Sequence, residues 1–600
     1  MCGIYVTNIT SSKEEVKNKI ERIQFRGPNY TGIKKVDNLT FAHLRLAILD
    51  LDERSNQPME IDEFTIVFNG EIYNFEELRK KLELKGHKFL TTGDTEVLLR
   101  GYIEWGKNVI DKANGMFSLV IYNSITKQLF CSRDRLGVKP FYYYWKDGVF
   151  EICSQLAPLK NGKKINNDAI SIYLECAYIP SPFSIYEDVY KLPPGYNLEI
   201  DMLSGTQNIY SYWDLQKVDK TNLNYEDSKN KLHELLKDAV KIRLKSDVPY
   251  GTFLSGGVDS ALISSIASKT SPIKIKTFTI GFENPLYDES KVAKQFSEII
   301  DSDHTEVICK PKDFYEMLPT LLEVYDEPFA DSSALPSLLL NKITKKYVTM
   351  ALSGDGGDES FLGYNHFDAI VKYKKIFLVP LFFRKIISHL LGLTGKSNKI
   401  SSIRRLLEVK DKNAFIEGTF IGYNSLLKNR KLGWMNHYRG YRTSSTDILQ
   451  KTADLNIKLW LENDSNVKVD RASMASSVEV RSPLLDYRII EFARELPISY
   501  RYNNGRKKHI LKEILKEYIP EEVFNQPKKG FSIPIGHWIR DELKEEFSQS
   551  FSDNLLNKIP NLDISKFKKM YEDHLLGKGE YSSYIWRVYI LSKWLQKNDI

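Results

Sequence analysis

Cysteine is scarce in this 600-residue chain, and the few cysteines do not form a recognisable set. They are odd in number and lie far apart: Cys2, Cys131, Cys153, Cys176 and Cys309. Disulfide frameworks use even numbers of cysteines, and zinc sites use closely spaced pairs. The sequence therefore argues against both and suits a reducing compartment such as the cytoplasm.

Long apolar runs are also missing. The longest, Ile376–Phe383, has eight residues and contains Pro380, whereas a helix that crosses a bilayer needs about 20. The N-terminal residues lack the apolar stretch of a secretory signal, and charged residues begin at Lys13. We therefore expect no membrane span, no signal peptide and a cytoplasmic location.

No group of residues marks a nucleic-acid-binding module. The formal net charge of +7 is spread over the whole chain, and lysine-rich surfaces account for it. Hydrophobic residues make up 42% of the chain and charged residues 27%, which is typical of a globular protein with a sizeable core. We expect small-molecule partners and no nucleic acid.

One stretch, Tyr250–Ser260, has the features of an anion-binding loop. A short β-type run leads into Ser-Gly-Gly-Val-Asp-Ser and then into a helical pattern. Glycines let the backbone approach a ligand, and N–H groups at a helix start favour phosphate. Neither a Walker lysine nor the dinucleotide glycine pattern is present. A glycine pair alone indicates an ordinary tight turn, but the whole string resembles the pyrophosphate loop of ATP pyrophosphatases, which adenylate a carboxylate.

Cys2 directly follows the initiator methionine. Removal of Met1 would leave a residue with both a thiol and a free α-amino group. The reference pKa of an α-amine, about 7.7–8.0, suits a base for the neighbouring side chain. Cysteine at position 2 proves nothing alone, so its meaning depends on the other residues of the N-terminal half.

Five polar or glycine residues follow Cys2 in the N-terminal half: Arg45, Asn69, Gly70, Glu71 and Asp94. They lie in or beside short β-type runs bounded by turns, which predicts stacked antiparallel sheets. Each alone would be a turn former, a helix cap or a surface charge. Together they resemble the N-terminal-nucleophile (Ntn) glutaminase domain of class II glutamine amidotransferases, over roughly residues 2–200.

This resemblance implies a role for each residue. The thiol would attack the side-chain amide of glutamine. Asn69, a glutamine contact as well, would form the oxyanion hole with Gly70. Arg45 would pair with the α-carboxylate of glutamine, and Glu71 and Asp94 would hold its α-ammonium. Two departures from the usual pattern, at positions 29 and 44, remove no proposed catalytic group.

From about residue 220, β-type runs alternate with helical patterns, which predicts a doubly wound parallel sheet. Ligands of such sheets bind at the carboxyl ends of the strands, where Ser255–Ser260 lies. A second string of glycines and carboxylates, Ser353–Glu359, follows another β-type run, and we expect it beside the first. Clustered carboxylates next to polyphosphate require Mg²⁺ between the like charges. A solvated acidic turn is the alternative for either string alone.

Three further strings extend the resemblance to the glutamine-hydrolysing asparagine synthetases, over nearly the whole chain: Val467–Ala475, Glu479–Asp486 and Lys528–Pro534. The resemblance implies an α+β Ntn glutaminase domain at residues 2–205 and an α/β ATP-pyrophosphatase domain with helical additions at residues 206–600. A homodimer is possible. The implied ATP contacts are Leu254, Ser255, Gly256, Gly257, Asp259, Ser260, Ile280, Ser353 and Gly354.

The same resemblance assigns the chemistry of the second site. Asp259 and Asp355 would hold Mg²⁺, Asp355 being catalytic as well, and Lys528 would neutralise charge on the phosphates. Asp358 and Glu359 would bind the acceptor. Aspartate would be adenylated by ATP and then amidated by ammonia from glutamine, giving asparagine, glutamate, AMP and pyrophosphate. Because free ammonia is protonated in neutral water, we expect a dry passage between the sites.

Three departures leave the acceptor open: Leu461–Asn466, Ser360 and Gln526 differ from the usual pattern. We expect them near the acceptor pocket. The alternative is therefore the same chemistry on another carboxylate, such as a sugar uronic acid or a natural-product acid. A non-catalytic regulatory or scaffolding protein is a third possibility, against which the intact site residues argue. A β-lactam-forming synthetase is disfavoured because it has no use for Cys2.

Residues 370–445 are rich in lysine and arginine, with apolar residues at helical spacing. A basic amphipathic surface of this kind suits a membrane or a partner. A helical subdomain packed on the core explains the same spacing. We expect the second, structural role.

Overall fold

The computed structural model describes residues 2–393, 398–422, 424–526 and 533–599. Two antiparallel sheets form the N-terminal part. Their strands are β1 (Gly3–Thr7), β2 (Tyr30–Val36), β3 (Leu39–Arg45), β4 (Met59–Ile61), β5 (Phe64–Ile72), β6 (Gly115–Asn123), β7 (Gln128–Arg133), β8 (Tyr142–Lys146), β9 (Val149–Cys153), β10 (Val189–Lys191), β11 (Tyr196–Asp201) and β12 (Thr206–Ser211).

The two sheets stack face to face. One has the order β10-β8-β9-β1-β3-β2 and the other β12-β11-β7-β6-β5-β4. Alternate apolar side chains of both sheets meet in a shared core that includes Ile4, Phe41, Val67 and Val120. The predicted stacked antiparallel sheets are thus confirmed. The second sheet ends at Ser211, whereas the predicted domain boundary lies at residue 205; that boundary stays a prediction.

Five helices flank this sandwich. They are α1 (Lys13–Ile20), α2 (Phe75–Glu83), α3 (Asp94–Trp105), α4 (Val109–Lys112) and α5 (Asn167–Cys176). The start of α1 is fixed by a capping box, in which Ser12 and Glu15 satisfy each other's backbone N–H groups. Helices α2 and α3 pack their apolar faces on the outer side of β5 and β6. Each sheet therefore has one face in the central core and one under helices.

The second part contains a parallel sheet. Its strands are β13 (Tyr250–Phe253), β14 (Lys276–Phe282), β15 (Asp303–Cys309), β16 (Met350–Leu352) and β17 (Glu479–Arg481); a separate hairpin comprises β18 (Tyr502–Asn503) and β19 (Arg506–Lys507). The order β15-β14-β13-β16-β17 is parallel throughout. From the central strand β13, the chain first adds β14 and β15 on one side and then β16 and β17 on the other. The switch point, where α/β folds bind ligands, lies between β13 and β16.

Helices surround this sheet, as the predicted doubly wound fold requires. They are α6 (Tyr225–Arg243), α7 (Val258–Thr270), α8 (Ser290–Ile299), α9 (Pro311–Val324), α10 (Ala334–Thr344), α11 (Gly357–Ser360), α12 (Asn365–Tyr373), α13 (Leu381–Leu393), α14 (Asn398–Glu408), α15 (Lys412–Ile421), α16 (Tyr441–Ser444), α17 (Ile448–Leu455), α18 (Val467–Met474), α19 (Tyr487–Glu495), α20 (Ile498–Arg501), α21 (His509–Leu515), α22 (Glu521–Phe524), α23 (Ile535–Arg540), α24 (Lys544–Gln549), α25 (Asp553–Asn557), α26 (Ile564–Leu575) and α27 (Ser582–Lys597). A π-helix, Asn456–Asn466, joins α17 to α18.

Within the described ranges, no single helix is long and apolar enough to cross a membrane. Two consecutive helical segments, Gly357–Leu378 and Leu381–Leu393, together have the length and apolar composition of a membrane span. The chain bends by 109° between them.

Buried ion pairs join the N-terminal part to the second part. They are Arg26–Asp470, Arg133–Glu462, Lys191–Glu327 and Glu71–Arg481. Removing one partner of a buried pair costs about 3–5 kcal/mol, because the other charge stays buried without compensation. These pairs therefore fix the two parts against each other.

Candidate active sites

Cys2 immediately precedes β1, a strand in the middle of its sheet. Its backbone nitrogen donates to Asn69 Oδ1 at 3.0 Å, and Arg26 Nε donates to its carbonyl oxygen at 3.1 Å. After removal of Met1, this nitrogen would be the α-amine beside the thiol. Burial raises the pKa of the Cys2 thiol, so the thiol needs a base to act as a nucleophile.

Asn69 and Gly70 lie in β5, opposite Cys2. Gly70 has φ of 155°, and a Cβ there would lie 2.0 Å from the carbonyl oxygen of Met116, so only glycine fits. Asn69 is fully buried and its Oδ1 accepts from Cys2, so its amide nitrogen is the side-chain donor. An amide N–H₂ and a backbone N–H beside a thiol have the chemistry of an oxyanion hole.

Arg45 ends β3, and a loop surrounds its guanidinium. Nη1 donates to the carbonyl oxygen of Asp52 and to Asn56 Oδ1, both at 2.8 Å. Asp94 begins α3, and its Oδ2 accepts from the backbone N–H of Ile72 at 2.8 Å. Burial raises the pKa of Asp94 to about 6. Both side chains are buried and held by the backbone, as ligands for a small zwitterion need to be.

Glu71 contacts a residue from the second part of the chain. Arg481 Nη2, at the end of β17, lies 3.1 Å from Glu71 Oε1, and Arg481 Nε donates to Glu479 at 2.6 Å. Burial raises the pKa of Glu71 well above its usual value, while Arg481 opposes the shift. The sequence singled out this Glu-Val-Arg string but assigned it no role. The structure places it against the predicted glutamine site.

The predicted phosphate loop joins β13 to α7. The hydroxyl oxygens of Ser255 and Ser260 lie 2.9 Å apart, and the N–H of Gly257 donates to Ser255 Oγ at 3.2 Å. The N–H of Leu254 donates to the carbonyl oxygen of Phe278 at 2.9 Å, which ties the loop to β14, the strand that carries Ile280. Seryl hydroxyls and the start of a 13-residue helix therefore meet at the carboxyl edge of the sheet.

The second predicted loop, Ser353–Glu359, follows β16 and packs directly on the first. A Cβ at Gly354 would lie 2.7 Å from the backbone nitrogen of Ser260, and one at Gly357 would lie 2.4 Å from Asp259 Cγ. Ser353 Oγ donates to Asp355 Oδ2 at 2.7 Å. The structure thus brings Gly256, Asp259 and Ser260 together with Ser353, Gly354 and Asp355 at the switch point of the sheet.

The carboxylates of these loops have the donor chemistry for Mg²⁺. Asp259 and Asp355 follow neighbouring strands and offer hard oxygen ligands. They do not form a complete cage: in the part of the chain that the structure covers, the one cluster of three potential ligand atoms within 4.8 Å is His537, Asp541 and Glu542, which is exposed. Since Mg²⁺ is usually held by one or two carboxylates together with substrate phosphates, the residues fit an ion that arrives with ATP.

Lys508 is a site residue that sequence reasoning missed. Its Nζ contacts Asp259 Oδ2 and lies 2.7 Å from Asp358 Oδ1, so one ammonium joins the two loops. The side chain is buried, and Lys508 adopts a left-handed φ of 53° just before α21. A Cβ at Gly363 would lie 2.1 Å from Lys508 Cε, so the surroundings leave this lysine little freedom. Nothing in its sequence neighbourhood, a run of basic residues, distinguishes it.

Glu359 forms a hydrogen-bonded pair with Tyr364, whose hydroxyl donates to Oε1 at 2.6 Å. Burial, and secondarily the charge of Asp358, raises the pKa of Glu359 to about 7. A carboxyl that titrates near neutrality beside a phosphate-type loop is suited to proton transfer. The predicted acceptor residues therefore adjoin the phosphate loops through Lys508 and Asp358. Lys528 lies outside the described residues, and its role stays a prediction.

The departure at Leu461–Asn466 falls within the π-helix, and three of its polar side chains contact the N-terminal part. Glu462 pairs with Arg133 at 3.1 Å, Asn463 Oδ1 accepts from the N–H of Ser181 at 2.8 Å, and Asn466 Nδ2 donates to the carbonyl oxygen of Leu136 at 2.9 Å. These three side chains contribute to the interface between the two parts. The backbone oxygen of Ser360 accepts from Arg501, and its side chain is buried.

Two small internal cavities lie between the two candidate sites. One, of about 20 Å³, is bordered by Tyr73 and Met116 near Gly70; the other, of about 10 Å³, is bordered by Asp355 and Asn466. Val138 and Ser482 border both cavities. A water-sized molecule needs about 10–15 Å³. Each cavity is therefore about large enough for one such molecule, and the two cavities share Val138 and Ser482.

Comparison with known families matches both parts of the chain. The family described as asparagine synthase matches residues 231–596, and the glutamine amidotransferase domain family matches residues 1–213.

Several known proteins are similar to this chain in sequence. Glutamine-hydrolyzing asparagine synthetase 1 of Bacillus subtilis (strain 168) is 32% identical over 98% of this chain and 94% of its own length. A putative glutamine-hydrolyzing asparagine synthetase 2 of Methanocaldococcus jannaschii is 39% identical over 61% of this chain and 76% of its own. The amidase chry2 of Gibberella zeae is 26% identical over 92% of this chain and 91% of its own.

Proposed function

The chain belongs to the asparagine synthase family, and from this premise we propose that it makes asparagine from aspartate, glutamine and ATP. It is a carbon–nitrogen ligase that uses glutamine as nitrogen donor. The observation that carries the proposal is the location of the cavities: they lie at the interface between the part that carries the half-buried Cys2 and the part that carries the pair of phosphate-type loops.

At the first site, we propose that Cys2 Sγ attacks the side-chain amide carbon of glutamine. The thiol proton passes to the α-amine, and the oxyanion accepts hydrogen bonds from Asn69 Nδ2 and the N–H of Gly70. Collapse of the intermediate expels ammonia, which takes up the proton, and leaves a thioester that water hydrolyses to glutamate. Arg45, Glu71 and Asp94 hold the charged end of glutamine, and Asn69 contacts it as well.

At the second site, a carboxylate oxygen of aspartate attacks the α-phosphorus of ATP. The bond to the bridging oxygen of the β-phosphate breaks, and pyrophosphate leaves. Ser255, Gly256, Gly257 and Ser260 bind the phosphates, while Leu254 and Ile280 contact the adenosine. Mg²⁺, held by Asp259 and Asp355, supplies charge neutralisation on the phosphates when bound.

Ammonia then attacks the acyl carbon of the aspartyl adenylate, and AMP leaves. The nitrogen must lose a proton in this step, and we assign its acceptance to Glu359, because burial raises the pKa of Glu359 to about 7. Asp358 positions the acceptor, and Ser353 and Gly354 contribute to the ATP site. Ammonia reaches this site unprotonated through the cavities bordered by Val138 and Ser482. The proposal also includes a cytoplasmic location, a role for Lys528 at the phosphates, and a homodimer.

Product analysis by mass spectrometry tests this function. Purified protein receives ATP, Mg²⁺, glutamine and aspartate, beside Cys2→Ala supplied with either glutamine or ammonium. We expect asparagine, AMP and pyrophosphate from the wild type, and from the variant with ammonium only. Asparagine from Cys2→Ala with glutamine would refute the role of Cys2. An absence of glutaminase activity in the wild type would favour a non-catalytic protein.

Another acceptor carboxylate is the second candidate. It is favoured by the amidase name of one relative that matches 92% of this chain. The test is a panel of carboxylates, including a sugar uronic acid, in the same assay with ammonium. If only aspartate supports pyrophosphate release, this candidate is excluded; if the wild type makes glutamate but amidates only another acid, it replaces the first.

A further inference from the structure

Helix α13 (Leu381–Leu393) has an inside-out arrangement of side chains. Arg384 and Ser388 are its buried residues. Arg384 donates to the backbone carbonyls of Leu407, at 3.0 Å, and Val409, at 2.7 Å, and Ser388 Oγ donates to Glu408 at 2.6 Å. Helices of globular proteins bury their apolar face instead. The polar side of α13 is therefore the side that is fixed to the protein.

The opposite side of α13 is apolar and exposed. Leu393 is 74% exposed, Phe382 70%, and Phe383 and Leu390 56% each. We define the α13 apolar face as Phe382, Phe383, Ile386, Ile387, Leu390 and Leu393. Residues three or four positions apart share one side of a helix, so these side chains form a continuous stripe. A continuous exposed stripe of this kind marks an interaction site.

Basic residues predominate in the sequence around this face, between Asp368 and Glu408. Residues 369–407 include nine lysines and arginines and no aspartate or glutamate. The whole chain is nearly balanced, with 85 basic and 78 acidic residues, so the asymmetry is local. Lys372, Lys375 and Lys385 are exposed on or next to α13. The partner must therefore accept an apolar stripe and carry negative charge.

We propose that the α13 apolar face, with Lys372, Lys375 and Lys385, docks on the surface of an anionic lipid bilayer. Interfacial helices combine aromatic and aliphatic residues with flanking lysines in this way. A symmetric dimer would place the same basic surface on both sides of its interface and so oppose like charges. The preceding segment, Gly357–Leu378, carries Glu359 and buries Phe367 in the protein core. The helix pair therefore lies on the bilayer and does not cross it.

Vesicle co-sedimentation of the full-length protein tests this proposal. Vesicles of phosphatidylcholine are compared with vesicles that also contain phosphatidylglycerol. We expect binding to the anionic vesicles only, weakened by salt. F382S/F383S should abolish binding, and K372Q, K375Q and K385Q should each lower the partition coefficient about fivefold. Leu203→Ser and Leu576→Ser, at exposed leucines elsewhere, serve as matched controls and should bind like the wild type.

Glutaminase activity of each variant shows that it is folded, and the three lysine variants keep the test valid if the phenylalanine variant does not fold. Equal sedimentation of the wild type and the lysine variants would overturn the proposal. A second result would also overturn it: the wild type does not bind vesicles, and sedimentation equilibrium shows a dimer that F382S/F383S loses. The α13 apolar face would then be covered by a second copy of the chain. The test needs no amidation activity, so its failure is distinct from a failure of the proposed function.

Discussion

At the scale of single residues, Lys508 is the most informative side chain. It brings one positive charge to two carboxylates that come from different loops, Asp259 and Asp358. When ATP and Mg²⁺ bind, this ammonium is suited to hold the loops in register while charge moves to pyrophosphate. Lys508 is thus a positioning residue of the second site, and its effect is separable from that of Cys2.

We predict that Lys508→Met lowers amidation with ammonium by about a hundredfold, because it removes the ammonium that joins buried Asp259 to half-buried Asp358; breaking such a pair costs about 3 kcal/mol. Glutaminase activity should stay within a few-fold of the wild type. Calorimetric titration with Mg²⁺-ATP provides a second measurement, and binding should weaken. Lys507→Met is the matched control, since Lys507 pairs with Asp368 at the surface. Equal effects of both substitutions would contradict the role of Lys508.

Glu359 gives a prediction about pH and stability. Its pKa of about 7 in the folded protein lies above the usual glutamate value of about 4.3. Folding therefore favours its protonated form, and this contribution is complete below about pH 4 and lost as the pH rises through 7. The free energy of unfolding of the wild type should fall by about 3 kcal/mol more than that of Glu359→Gln between pH 4.5 and 7.5. Parallel pH profiles of denaturant unfolding for the two proteins would contradict the assignment.

At the scale of elements, α18 joins the two parts of the molecule through Asp470. Arg26, which also donates to the carbonyl oxygen of Cys2, contacts both carboxylate oxygens of Asp470, at 2.8 and 2.9 Å. The arginine and neighbouring cations hold the pKa of Asp470 below its usual value despite burial. This element therefore connects Cys2 to the π-helix and to β17.

We expect Asp470→Asn to lower the free energy of unfolding by about 3 kcal/mol, because the Arg26 guanidinium would stay buried without its counter-charge. Amidation with glutamine should fall more than amidation with ammonium, since the substitution disturbs Cys2 and the interface together. Denaturant unfolding and the ratio of the two activities are the measurements. Glu60→Gln, at an exposed pair with Lys34, should cost less than about 1 kcal/mol. If the ratio of glutamine-dependent to ammonium-dependent amidation stayed unchanged, this ion pair would have no role in the coupling of the two sites.

Elements with strong local signals were predictable from the sequence. The loop after β13 has its own glycine and serine pattern, and the alternating runs around Asn69 indicate antiparallel sheets without tertiary information. Lys508 and Arg481 were not predictable as site residues, because their roles depend on partners far away in the chain, Asp259 and Glu71. Nor does periodicity show which side of a helix faces outward, so the exposed stripe of α13 was predicted to be packed.

At the scale of the whole molecule, we propose that the interface between the two parts is the route between the sites. β17 contributes to both ends: Arg481 contacts Glu71, and its carbonyl oxygen accepts from the N–H of Ser353 at 2.9 Å. The cavities bordered by Val138 and Ser482 lie along the same interface. Their volumes, about 20 and 10 Å³, suit a molecule the size of ammonia.

Isotope retention tests this central claim most directly. Glutamine labelled with ¹⁵N in its side-chain amide is supplied with aspartate, ATP, Mg²⁺ and an excess of unlabelled ammonium, at a pH where little ammonia is free. We expect asparagine made by the wild type to keep most of the label. Asparagine made by Val138→Phe, which fills the route, should lose the label, although the variant still uses ammonium. Val149→Phe, at an exposed valine, is the control. If the ¹⁵N fraction of asparagine made by the wild type equalled that of the bulk ammonium, an internal passage would be contradicted.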